Sequence, residues 1–219
     1  NDNQYSREKL QGDIENLESF YLDRGYLQFA IESSQVSISR DRNSIYITYI
    51  ISEGPQFTIN EVKIIGDLPL NSDIVDPIIN TQNDVIYSQA QITQIEEIFT
   101  SLLGNEGYAF ASVKGQPSIN EDSLEVDLSF VVEPGKRTYA RKILFEGNQI
   151  TQDDVLRREM RQFEGAWASD DKIEQSRVRL ERLGFFKDVN VETIPVPGTD
   201  DQIDIKIAGA DDFSFTANT

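Results

Sequence analysis

Three stretches of the chain read alike, and this repetition limits the fold more than any other feature. Residues 7–31 are REKLQGDIENLESFYLDRGYLQFAI, residues 89–113 are QAQITQIEEIFTSLLGNEGYAFASV, and residues 171–191 are DKIEQSRVRLERLGFFKDVNV. Each predicts an amphipathic helix, a Gly-aromatic pair and a short strand. The pairs, Gly25-Tyr26, Gly107-Tyr108 and Gly184-Phe185, recur at nearly equal intervals. Leu10, Ile14, Leu17 and Tyr21 form one apolar stripe at helical spacing, and Ile92, Ile95, Phe99 and Leu102 form another. Each glycine falls at a helix exit, where a left-handed backbone is costly for other residues.

Two further signatures recur around these stretches. FTINEVKIIGD (57–67) matches YARKILFEGNQ (139–149), which aligns Gly66 with Gly147. IYITYIISEGP (45–55), LEVDLSFVVEPGK (124–136) and QIDIKI (202–207) alternate as strands do. Hairpins are expected across 120–123 and 197–201. One module therefore reads strand, short helix, long helix, strand, strand. The first copy enters at its long helix and should bury less core. Thr151 with Asp154 predicts one helix start, and Ser169 another.

Composition removes several classes of chemistry. The 219 residues include neither cysteine nor histidine, which excludes disulfides, thiol nucleophiles, Cys/His zinc sites and His-dependent triads. The net charge of −18 opposes generic nucleic-acid binding. That charge is uneven: residues 1–135 carry 7 Lys/Arg against 22 Asp/Glu, and residues 136–208 carry 13 against 14. No apolar run reaches the length of a helical membrane span. The polar start, NDNQYSREKL, has no initiator Met and no signal-peptide core, as expected of a fragment or processed chain.

YLDRGYLQFAI, KILFEGN, VLRREMRQFEGAW and RLERLGFFKDV resemble the POTRA family, over roughly residues 4–208. The likeness is to the third, fourth and fifth modules carried by outer-membrane barrel-assembly factors. It implies an α+β fold of tandem POTRA modules, each β-α-α-β-β with two helices on a small mixed three-stranded sheet. The implied divisions are a partial third-like module (1–54), a fourth-like module (55–135), a membrane-proximal fifth-like module (136–208), and a tail (209–219). That tail, with alternating Phe213-Ser214-Phe215-Thr216, either leads toward a barrel or is a chain end. The resemblance further implies a scaffold, not an enzyme, on the periplasmic side of the bacterial outer membrane. Its partners would be BamB-like and BamD-like lipoproteins, unfolded outer-membrane protein clients, and the membrane through a C-terminal barrel. It implies no cofactor, metal or nucleic acid.

Two candidate sites follow. The strand IESSQVSI (31–38) would be a sheet edge open to an added partner strand, and the resemblance places a BamB-like contact at Gln35, Val36, Ser37 and Ile38. A plain half-buried edge is the competing account. In the last module Arg157, Arg158 and Arg161 precede Glu164, with Arg177, Arg179 and Arg182 following. This surplus suits carboxylates or lipid phosphates, and the resemblance places a BamD-like contact at Glu164. A solvated face with ion pairs such as Arg158–Glu159 competes. Glu164 should follow a helix over Val155–Phe163, where a carboxylate is poorly explained by local stability. Replacing it should then leave folding nearly unchanged. Trp167 is expected in the core.

Other readings stay open. One is the POTRA region of a different barrel protein, TamA-like or a two-partner transporter. Another is a carboxylate-dependent hydrolase using Asp153-Asp154, Asp170-Asp171, Asp200-Asp201 or Asp211-Asp212. These pairs suit helix starts and solvated loops better.

Overall fold

The computed structural model describes residues 7–40, 44–148, 151–182 and 186–211. Gly184-Phe185, Asp212 and the Phe213–Thr216 alternation lie outside the described residues. The chain gathers into two compact units. One lies within Asn1–Ile65, Asn71–Glu97 and Lys114–Val131, the other within Gly66–Leu70, Ile98–Val113 and Val132–Thr219.

The element order follows the repeat. Helix α1 (Arg7–Leu22) leads into β1 (Ala30–Ile38) and β2 (Ile45–Ser52). The second copy is β3 (Thr58–Gly66), α2 (Ser72–Asn80), α3 (Gln89–Asn105), β4 (Ser112–Asn120) and β5 (Glu125–Glu133). The third is β6 (Tyr139–Glu146), α4 (Asp153–Glu159), α5 (Asp170–Arg182), β7 (Phe186–Pro195) and β8 (Gln202–Asp211). The two whole copies have the same strand order, β3-β5-β4 and β6-β8-β7, so the last strand is central. β6 runs parallel to β8 and β7 antiparallel, which makes that sheet mixed.

Alternation buries one face of each central strand. Val126, Leu128, Phe130 and Val132 are buried along β5, and Ile203, Ile205 and Ile207 along β8. In the third copy they join Ala140, Ile143, Leu156, Met160, Leu180 and Val189 in one core. The stripe of α3 ends on Leu103, which is fully buried, whereas Leu102 is only half-buried. Ile92, Ile95, Phe99 and Leu103 centre on one face, and Leu102, seven residues after Ile95, sits at the flank of that same face. Among the described residues every buried apolar side chain lies at Phe57 or later. The first copy instead holds α1 through aromatics: Tyr21 stacks on Phe29 at 4.1 Å and meets Tyr26 edge-on at 5.7 Å.

Both ends of α4 depart from expectation. α4 stops at Glu159 because Met160 is extended (ψ 138°), and the Arg161 and Gln162 N–H groups donate to Ser176 Oγ instead of to helical carbonyls. The residue at its N-cap is Gln152, not Thr151. Asn148 Nδ2 donates both to the Thr151 carbonyl and to Asp153. Ser169 does start α5, its carbonyl accepting from Ile173 N–H.

Candidate functional site

The first-strand edges of both whole copies are covered by their own chain. Along β3, Ile59 N–H donates to Val85 O, Asp84 N–H to Ile59 O, and Tyr87 N–H to Phe57 O. Along β6, Ala140 N–H donates to Ala166 O, Gly165 N–H to Ala140 O, and Ala168 N–H to Thr138 O. The second-strand edges, β4 and β7, are the outer ones, and β1 is their counterpart in the first copy.

β1 pairs antiparallel with β2, matching Gln35, Val36, Ser37 and Ile38 to Thr48, Ile47, Tyr46 and Ile45. All four of these β1 residues are exposed, Val36 at 53% and Ile38 at 65%. The strand has neither Pro nor Gly, and among the described residues no side chain accepts from its backbone N–H groups.

The second candidate cluster is built around the backbone of Ile143. Glu164 Oε1 accepts the Ile143 N–H at 2.8 Å, and Arg157 Nη2 donates to the Ile143 carbonyl at 3.0 Å. Arg157 and Glu164 also pair with each other at 3.2 Å. The Ile143 N–H foremost, then Arg157, holds the Glu164 carboxyl below its usual range against an opposing effect of burial. Local structure thus accounts for a carboxylate at this position. It continues the edge cover of β6 where the 163–168 segment runs out. Arg158 and Arg161 are exposed and carry no ion pair among the described residues. Arg158 does not pair with Glu159, which instead holds Arg179 at 2.6 Å across to α5. Arg177 binds Glu174 and Glu181.

Trp167 is not core; it remains 41% exposed. The Arg137 guanidinium lies 4.4 Å over its ring, and Trp167 also packs where a Cβ on Gly107 would sit. The same relation exists one repeat earlier, where Ile86 packs where a Cβ on Gly25 would sit. Two backbone bonds repeat with it. Phe57 N–H donates to Gly25 O at 2.9 Å, and Thr138 N–H donates to Gly107 O at 2.7 Å. Two side-chain caps repeat as well. Asp23 Oδ1 accepts the Ala90 N–H of α3, and Asn105 Oδ1 accepts the Asp171 N–H of α5, both at 2.8 Å. Each helix exit therefore caps the long helix of the following copy. The recurring glycines are needed for this close approach as well as for a positive φ. Sequence reasoning misses these junctions; the equivalent places of Asp23 and Asn105, and of Phe57 and Thr138, in successive copies are the available signal.

These caps carry a prediction. Asp23→Ala and Asn105→Ala should each cost about 1 kcal/mol, the usual worth of an N-cap. Hydrogen exchange should accelerate at Ala90 in the first variant and at Asp171 in the second. Unchanged exchange at those amides would show that the caps are not held in solution.

Among the described residues the acidic pairs do not converge. Asp153, Asp154, Asp170 and Asp171 occupy first turns of α4 and α5, and Asp200 pairs with Lys136 at 2.5 Å. Among the described residues no three acidic side chains gather as a metal would require.

Comparison with known proteins decides the family. The POTRA family model, described as a surface antigen variable number repeat, matches residues 2–54, 57–135 and 138–208. The chain belongs to the POTRA family. It is 30% identical over 207 residues to the outer membrane protein assembly factor BamA of Neisseria meningitidis serogroup B, covering 94% of this chain. It is 32% identical over 187 residues to BamA of Buchnera aphidicola, covering 85% of this chain. The chain spans 26% and 30% of those two relatives. The crystal structure of Haemophilus influenzae BamA POTRA3-5 superposes with a TM-score of 0.78 at 28% identity, covering 95% of this chain and 83% of that one. The expected tandem POTRA architecture is therefore present.

Proposed function

We propose that this chain is a periplasmic POTRA scaffold of an outer-membrane barrel-assembly factor, which docks accessory lipoproteins and receives unfolded barrel proteins. The observation that carries the reading is the open edge of β1. Its backbone groups can pair with an added strand, and backbone pairing tolerates the varied sequences of many clients. Gln35, Val36, Ser37 and Ile38 form the segment for a BamB-like partner. Arg157, Arg158, Arg161 and Glu164 form the surface for a BamD-like partner. Support for the latter comes from the repeat itself. Aligning Gly66 with Gly147 sets Asp76 at the place of Arg157 and Asn83 at that of Glu164, so the Ile143 bracket is peculiar to the third copy. Nothing in this reading requires catalysis.

Proline tests the edge. Successive N–H groups of a strand point in opposite directions, so of Val36 and Ser37 one donates into the β1–β2 ladder and the other outward. Val36→Pro and Ser37→Pro should therefore behave differently. The outward substitution leaves the hairpin paired but removes a donor to the partner. A partner carbonyl left unpaired costs on the order of 1–3 kcal/mol, roughly a five- to 150-fold loss of affinity. Calorimetry with a purified BamB-like lipoprotein measures it. Full-strength binding by both proline variants would exclude strand addition at β1.

A further inference from the structure

The outer edge of β4 differs from that of β1. Gly115 N–H does not join the sheet: it donates to Glu96 Oε1 of α3 at 2.6 Å. Two residues on, Pro117 has no N–H at all. Residues 115 and 117 share one parity, so both concern the same side of the strand. Thr58 N–H donates to Leu124 O, so the even positions of β5 face β3 and the odd ones face β4. With only Glu121–Leu124 joining the antiparallel β4 and β5, Asn120 stands opposite Glu125, and the odd positions of β4 face away from β5. Val113, Gly115, Pro117 and Ile119 are the positions whose N–H sites face outward along β4, and the middle two are unavailable to a partner. The glycine is part of the device. A Cβ on Gly115 would strike Ile92 and crowd the Glu96 carboxylate, so only glycine lets α3 approach closely enough for Glu96 to reach over the edge. β1 has no such arrangement. β7 has none either: its proline, Pro195, is its last residue, and among the described residues no side chain accepts from its N–H groups.

We propose that Glu96, Gly115 and Pro117 close the β4 edge against strand addition, so that an extended chain meeting this POTRA segment pairs at β1 and is refused by the second module. The inference rests on the strand-addition reading above and adds selection among modules to it. A closed edge that falls, in chain order, between two open ones prevents one client from pairing with successive modules at once. It also protects β4 from pairing with a second copy.

The test uses the whole chain, isotope-labelled, and a short synthetic peptide of alternating Thr and Val with Lys at each end. In the wild-type chain the peptide should shift β1 amides and leave Val113–Ile119 unmoved. In Glu96→Ala/Pro117→Ser, the β4 amides should respond too, with affinity at that edge raised roughly tenfold or more by two restored hydrogen bonds. Glu96→Ala alone should accelerate hydrogen exchange at Gly115. Peptide-induced shifts along β4 in the wild type would overturn the closure. So would a double variant that binds at β1 but not at β4, or unchanged exchange at Gly115. If no edge responds in either protein, the strand-addition reading fails and the closure with it.

Discussion

Alanine at Gly66 or Gly147 is expected to cost the protein on the order of 3 kcal/mol, among the largest losses for a single methyl group. Both residues close the first strand of a whole module, with φ of 105° and 87°. A left-handed φ by itself costs a non-glycine residue roughly 1 kcal/mol or more. The larger part comes from contact. A Cβ on Gly66 would overlap the Val132 carbonyl oxygen, and one on Gly147 would overlap that of Gly209. Those oxygens belong to backbone, so no rotamer change relieves the overlap. The control is Gly135, with φ of 69° and no atom within 4 Å of its added Cβ. Gly135→Ala isolates the conformational cost. Thermal unfolding should show a fall of roughly 10–20 °C for Gly66→Ala, judged for a module-sized cooperative unit, and a few degrees for Gly135→Ala. Equal falls would mean that the contact with Val132 does not decide the residue.

That pair of glycines shows what a repeated sequence reveals. Gly66 and Gly147 stand out because two copies of one module solve one local problem in the same way, at the same place in each copy. The strands are legible for a similar reason: alternation along β5 and β8 is written in adjacent residues, and burial follows it. Contacts between distant residues leave a weaker mark. Nothing local to Asp23 says that it caps α3, because Ala90 lies far along the chain. Nothing around Glu96 announces Gly115. The end of α4 is hidden because VLRREMRQF keeps helical composition beyond Glu159, while Ser176 on α5 withdraws the Arg161 and Gln162 N–H groups from the helix. This tertiary competition for backbone donors also moves Glu164 from a helix terminus to a turn. Its partners then change, and with them the consequences of mutating it.

Glu164→Lys should therefore destabilise the third module by on the order of 2–3 kcal/mol, in place of the near-silent surface change expected from sequence. The substitution removes the acceptor of the Ile143 N–H and sets an ammonium beside Arg157, which still has to hold the Ile143 carbonyl. Ile143 is a buried member of the β6 core, so loosening its backbone is transmitted to the sheet. Glu164→Gln keeps an oxygen for that N–H and loses only the charge. With the Glu164 side chain 44% exposed, solvent screens the ion pair and the Gln variant should lose well under about 1 kcal/mol. The pH dependence has a definite sign. The folded carboxyl titrates lower than in the unfolded chain, so its stabilising contribution is present above the unfolded value of about 4.3 and disappears as pH falls through the folded one. The wild type should accordingly lose a small increment of stability in that acid window which Glu164→Gln does not lose. This separation makes the docking proposal testable without confusing it with folding. A partner Arg that pairs with the Glu164 carboxylate should bind the Gln variant several-fold more weakly although the module remains folded. Urea titration of the three proteins gives the stability order wild type, Gln, Lys. Calorimetry with a BamD-like lipoprotein then compares wild type with Gln. Equal affinity for those two would confine Glu164 to its role at Ile143, and equal stability of wild type and Lys would remove that role as well.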